Sequence, residues 1–133
     1  MTPSFEEDET ICDLPSLGVN AQSLHFLNYL IAEPVRVPFL YRSGVLVQIP
    51  RPERYAIHKL IVADRRQGGP DAIKAHKDRA QAAFLIKALV ESRSQDLAEA
   101  YHVALEAGPA WRQRIAASLK QLPETANLLE EIL

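Results

Sequence analysis

The 133-residue chain has a single cysteine, Cys12, which excludes an internal disulfide and a cysteine-rich zinc site. No apolar run approaches the roughly 20 residues that span a bilayer. The first ten residues, MTPSFEEDET, carry acids where a secretory signal would carry bases and an apolar stretch. A cytoplasmic protein with no membrane association is the expectation. Its four histidines include no pair at metal-ligand spacing. His58 and His76 are therefore expected in surface or packing roles, His25 in the core and His102 on a helix surface. Cys12 has no neighbouring base to make it a nucleophile. Aromatics make up 7% and are not interleaved with bases, so nucleic-acid binding is not expected.

Charge is present but unevenly placed. The formal net charge is −2, yet residues 1–50 carry −4, residues 51–93 carry +5 and residues 94–133 carry −3. A basic middle between acidic ends suits a local anion site better than general attraction to nucleic acid. Residues 1–13, with Glu6, Glu7, Asp8 and Glu9 in a row, read as a disordered acidic tail. Residues 14–133 read as one domain, with strands over 14–50 and helices over 51–133.

Within the strand region, residues 22–31 (QSLHFLNYLI) read as a strand covered on both faces, with a short buried helix as the competing reading. Residues 36–49 read as a hairpin, its first strand confined to an edge or bulge by Pro38 and its second, VLVQI, rich in β-branched residues. Helical spacing follows. Pro52 opens a helix in which Ile57, Leu60 and Ile61 repeat at helical spacing, and Gly68-Gly69-Pro70 ends it, glycine supplying a left-handed cap. A long helix runs from Asp71 to Arg93 with Ile73, Ala80, Phe84, Leu85 and Ala88 as its apolar side. Ser94 caps a third helix bearing Leu97, Tyr101, Ala104 and Leu105, which Gly108-Pro109 breaks. Trp111, a packing anchor, starts a fourth that Pro123 stops, and a short last helix completes four to five. The class is α+β, with about three antiparallel strands followed by a helical bundle.

The chemistry-bearing residues gather on two of these helices. Lys59 and Arg66 are seven residues apart, on one face, with Tyr55 one turn before and Arg65 beside. Lys74, Lys77, Asp78 and Gln81 share a face of the next helix. Folded antiparallel, the two helices would aim Lys59, Arg66, Lys74 and Lys77 at a common point, a seat for a polyphosphate. The plainer alternative pairs Asp78 with Lys74 and leaves Lys59 and Arg66 facing solvent, or gives Arg66 a structural carboxylate partner.

The stretch PRPERYAIHKLIVADRR, followed by KAHKDRAQAAFLIKAL, resembles the C-terminal part of a nucleotidyltransferase-fold family. The relatives are bacterial nucleotidyltransferase-like proteins akin to the AbiEii toxins of abortive-infection and toxin–antitoxin systems. Lys59-Leu60 with Arg66 matches a K-L-x-x-x-x-x-R element, and Lys77-Asp78 with Gln81 matches a following K-D element. Residues 14–31, the hairpin and Trp111-Arg112 extend the resemblance over residues 14–123. It implies nucleotide transfer from an NTP, with Lys59, Arg66 and Lys77 as phosphate contacts and Asp78, Lys74, Arg65 and Gln81 in support. Asp78 would orient Lys77 or Lys74. The family also implies magnesium, held by the carboxylates of a D-x-D strand that follows a G-S motif. Neither motif occurs in these 133 residues. The expectation is a truncated nucleotidyltransferase-like protein that binds no magnesium alone and is inactive as an isolated chain. The alternative is a non-catalytic module whose exposed sheet edge pairs with itself, as a homodimer, or with a separate N-terminal half.

Overall fold

The structure, a computed structural model, describes residues 26–133 in full, and the backbone alone of residues 11–14 and 19–22. The expected acidic tail lies outside the described residues except at its end, where Ile11–Leu14 forms strand β1. His25 also lies outside them. Strand β1 pairs antiparallel with β2, Val19–Gln22. A short helix, α1 (Leu27–Ile31), leads to a second antiparallel pair, β3 (Val35–Phe39) and β4 (Val45–Ile49). Four helical elements remain: α2 (Pro52–Arg65), α3 (Ala72–Glu106), α4 (Pro109–Leu119) and α5 (Pro123–Glu131). The α+β class holds. Instead of one sheet of about three strands, the described residues form two separate two-stranded sheets.

Two changes make that difference: β1 and β2 form a pair of their own, and the strand expected over residues 22–31 gives way to its competing helical reading over Leu27–Ile31. Phe26 takes a left-handed conformation (φ 63°) and turns the chain into α1, and Glu33 (φ 51°) turns it out before Pro34. Phe26 and Tyr29, three apart, both reach Trp111 edge-on, with ring centroids 4.6 and 5.3 Å away. That spacing is helical, so packing on Trp111 decides against the strand. The Tyr29 hydroxyl donates to the Ala100 carbonyl at 2.7 Å, which ties α1 to α3.

Helix α2 is the centre of the bundle. Ala56, Ile57, Leu60, Ile61 and Ala63 are fully buried, a stripe wide enough to meet α3 on one side and α4 on the other. The Ser118 hydroxyl donates to the Leu60 carbonyl at 2.5 Å and fastens α4. Helix α2 ends without the expected glycine cap. Arg66 keeps right-handed geometry (φ −89°), its N–H reaches the Val62 and Asp64 carbonyls, and neither Gly68 nor Gly69 has a positive φ.

Helix α3 corrects two further expectations. The boundary expected at Ser94 is a kink one residue earlier, at Arg93 (φ −150°, ψ 49°), inside a continuous element. The buried side of its first half is Ala75, Asp78, Ala82, Ile86 and Leu89. Ile73 and Phe84, expected to be core, are 85% and 74% exposed; Ala80 and Ala88 are exposed as well, and Leu85 is half-buried. The true stripe contains a charged residue, Asp78, which an apolar count leaves out.

Candidate functional site

Helices α2 and α3 run antiparallel across the turn at residues 66–71. This sets the end of α2 against the start of α3. Asp78 sits there, its side chain only 5% exposed. Lys59 Nζ donates to Asp78 Oδ1 at 2.7 Å and Arg66 Nη1 donates to Oδ2 at 2.5 Å. One cation from α2 and one from its C-terminal cap thus share one buried carboxylate from α3.

The cluster carries a net single positive charge and is open on one side. The Lys59 side chain is 18% exposed and that of Arg66 38%. The Lys59 ammonium stands 5.3 Å from the Tyr55 ring centroid. Burial by itself would depress its pKa. The hydrogen bond and charge of Asp78, with help from Tyr55, outweigh burial and hold Lys59 above the usual lysine range. Lys59 therefore stays an ammonium at neutral pH. Each cation spends one donor on Asp78 in these bonds, whereas an ammonium has three N–H groups and a guanidinium five. A further Lys59 donor goes to the Tyr55 side chain; the rest can meet phosphate oxygens, with Asp78 holding both groups in place.

The other expected residues are arranged differently. Asp78 orients Lys59 and Arg66, not Lys77 or Lys74. Lys74 pairs instead with Asp71, at 2.8 Å on the surface. Lys77 is exposed, about 100° round α3 from Asp78. The four-cation focus is thus reduced to Lys59 and Arg66. Gln81, one turn beyond Asp78, and Arg65, in the last turn of α2, are half-buried. His76 and His102 are exposed, as expected, and Trp111 packs as an anchor.

Two ion pairs were not anticipated by spacing. Arg114 Nη1 meets Asp64 Oδ2 at 3.2 Å, linking α4 to the end of α2. Glu53, 1% exposed at the start of α2, has Arg93 Nη1 2.9 Å from its Oε1. The kink aims Arg93 there. Both partners in each pair are 40 or more residues apart, so no local pattern could have shown them.

The described residues do not fit a catalytic divalent ion. Both Asp78 oxygens are engaged by cations, and no cluster of three or more His, Cys, Asp or Glu side chains among the described residues could hold a metal. No helix among them is long and apolar enough to cross a membrane.

No curated protein and no solved structure matches the chain. A family model described as nucleotidyltransferase matches residues 1–106. That span takes in both helices of the ion cluster and ends with α3, before α4 and α5. With most of its length matched, the chain belongs to a nucleotidyltransferase family.

Proposed function

We propose that the chain is the phosphate-facing, helical half of a nucleotidyltransferase akin to the AbiEii-type toxins. The carboxylates that hold magnesium would then come from another segment or chain. Lys59 and Arg66 would take the NTP phosphates, Asp78 would hold them in place, and Lys77 would make an outer contact. The observation that supports this best is the shared carboxylate. It fixes two cations with unused donors at an exposed edge, on the elements the family model covers. The chain's own part would be binding and orienting the triphosphate. Transfer is not expected of this chain alone, because neither the G-S motif nor the D-x-D motif occurs in its sequence.

Calorimetry with each NTP tests the reading. Saturable binding is expected, weakened about tenfold or more by Lys59→Met or Arg66→Ala, since each removes a charge-assisted contact of about 1.5–3 kcal/mol. Lys77→Ala should weaken it least. No heat with any NTP would overturn the binding assignment. Robust incorporation of labelled NTP by the isolated chain would overturn the division of labour.

A second reading is favoured by the β3–β4 hairpin. Phe39, Leu40, Tyr41, Val45, Leu46 and Ile49 are all exposed. A two-stranded hairpin is marginal by itself in water. In this reading the chain is an interaction module that pairs through that hairpin.

A further inference from the structure

We infer that strand β4 pairs with β4 of a second copy, antiparallel and centred on Val47. The inference rests on the interaction reading just given and names its partner, its edge and its register.

Among the described residues the hairpin has two free edges, and they are not equivalent. Pro38 lies within β3, opposite Leu46. A proline fits a paired strand without losing a ladder bond only when its nitrogen faces away from the neighbour. The inner hydrogen bonds therefore run through Val35, Val37 and Phe39 and their partners Ile49, Val47 and Val45. Arg36 and Pro38 then face the outer side of β3. That edge lacks one donor and carries a charge, two features that blunt pairing. On the outer side of β4 stand Leu46 and Gln48, both with an N–H and neither charged. Leu46 is 69% exposed.

Charge favours a second copy as the occupant. Strand β4 has no ionisable residue, and the hairpin's charges are Arg36 and Arg42. An acidic partner would find its attraction on β3 and the tip, not on β4. Pairing β4 with itself puts the two neutral strands in the middle and the arginine-bearing strands outside. The two β3 strands are then three spacings apart, about 14 Å, beyond the Debye length at physiological salt. Like charges do not oppose the assembly.

The register follows from the sequence VLVQI. A twofold at Val47 places Leu46 opposite Gln48 of the second copy, so the outward groups of both exchange hydrogen bonds. Val45 falls opposite Ile49, which keeps Val45, Val47 and Ile49 of both copies on one face. The interface is isologous and closed. It converts two marginal hairpins into a four-stranded sheet, the size at which a sheet with an apolar face is stable.

The test uses the full chain. Light scattering after size exclusion, over a wide concentration range, should approach twice the 14.9 kDa of one chain. Gln48→Pro removes an outward N–H without touching the β3 ladder and should return the mass to one chain. In a Cys12→Ser background, Val47→Cys should cross-link under mild oxidation at least about tenfold faster than Val45→Cys. Val47 meets itself across a non-hydrogen-bonded pair, at a Cα separation of about 4.5 Å that a disulfide can bridge. Val45 and its copy would be four residues, about 13 Å, apart. A single-chain mass at the highest concentration, or equal cross-linking at the two positions, overturns self-pairing. Amide exchange then decides the parent reading. Rapid exchange at Leu46 and Gln48 leaves the edge open to another chain, whereas protection in a monomer shows it already covered and removes that reading too. NTP binding is measured separately and is unaffected by either result.

Discussion

The two ends of the α2–α3 pair each bury a carboxylate, and they treat it differently. At one end Asp78 has both oxygens in short hydrogen bonds, to Lys59 and Arg66. At the other, Glu53 touches the Arg93 guanidinium at 2.9 Å, yet neither of its oxygens has a well-formed hydrogen bond among the described residues. Arg93 also divides itself, with Nη2 3.1 Å from Asp96. Burying a charge is costly unless it is both paired and hydrogen-bonded. Asp78 meets both conditions and Glu53 only the first. The difference marks the Asp78 end as ordered around its charges, while the Glu53 end tolerates them.

The largest expected effect is at Asp78. Removing one partner of a buried ion pair costs about 3–5 kcal/mol, and somewhat less here because Lys59 and Arg66 reach solvent. Asp78→Ala should therefore destabilise the fold by about 2–3 kcal/mol in urea unfolding. Glu53→Gln should change stability by less than about 1 kcal/mol in either direction, because it removes a buried charge as well as a poorly formed contact. If the two variants cost the same, the contrast between the ends is wrong.

Alkaline unfolding probes both ends. Burial pushes the Tyr29 phenol well above the usual tyrosine range, against a smaller opposing effect of Arg54. Lys59 is also raised. For each, the folded value exceeds the unfolded one, so its contribution is complete below the unfolded pKa of about 10 for tyrosine and 10.4 for lysine. It is then lost as pH rises through the folded value. Neither group should change stability between pH 6 and 9, and a decline should set in above about pH 10. Tyr29→Phe should flatten part of that decline while costing about 1 kcal/mol for the lost bond to Ala100. The smallest effect belongs to Lys74→Ala. Hydrogen bonding and charge from Lys74 lower the Asp71 pKa. That contribution is present above Asp71's unfolded pKa and is lost as pH falls through the folded value. The pair is exposed, so salt should erase the effect on the unfolding midpoint.

Much of this was legible in the chain. Pro52, Gly68-Gly69-Pro70, Pro109 and Pro123 marked the helix limits to within a few residues, because proline and glycine act locally. The buried face of α2, Ile57, Leu60 and Ile61, followed from its period. The face of α3 did not. Ile73, Phe84 and Ala88 formed a plausible apolar stripe, and the real one runs through Asp78. A carboxylate enters a core only when cations from another helix meet it there, and that partner is invisible to a local pattern. Within residues 22–31 the expected strand gave way to the competing helix, over Leu27–Ile31, for the same kind of reason. Trp111, some 80 residues away, decided how Phe26 and Tyr29 are presented. At the candidate site, spacing placed Lys59 and Arg66 on one face correctly. It could not show that Asp78 would bind them both, leaving Lys77 and Lys74 aside.

By itself the sequence determined the class, the order of the helices, the basic middle and the pairing of β3 with β4. These depend on backbone preferences and on side chains a few residues apart. Only the tertiary structure decided which face of α3 is buried, which cations share Asp78 and where α1 replaces a strand. Each of those is a choice between local alternatives of similar energy. It is settled by desolvation and hydrogen bonding to groups distant in the chain, which exist only once the helices have packed.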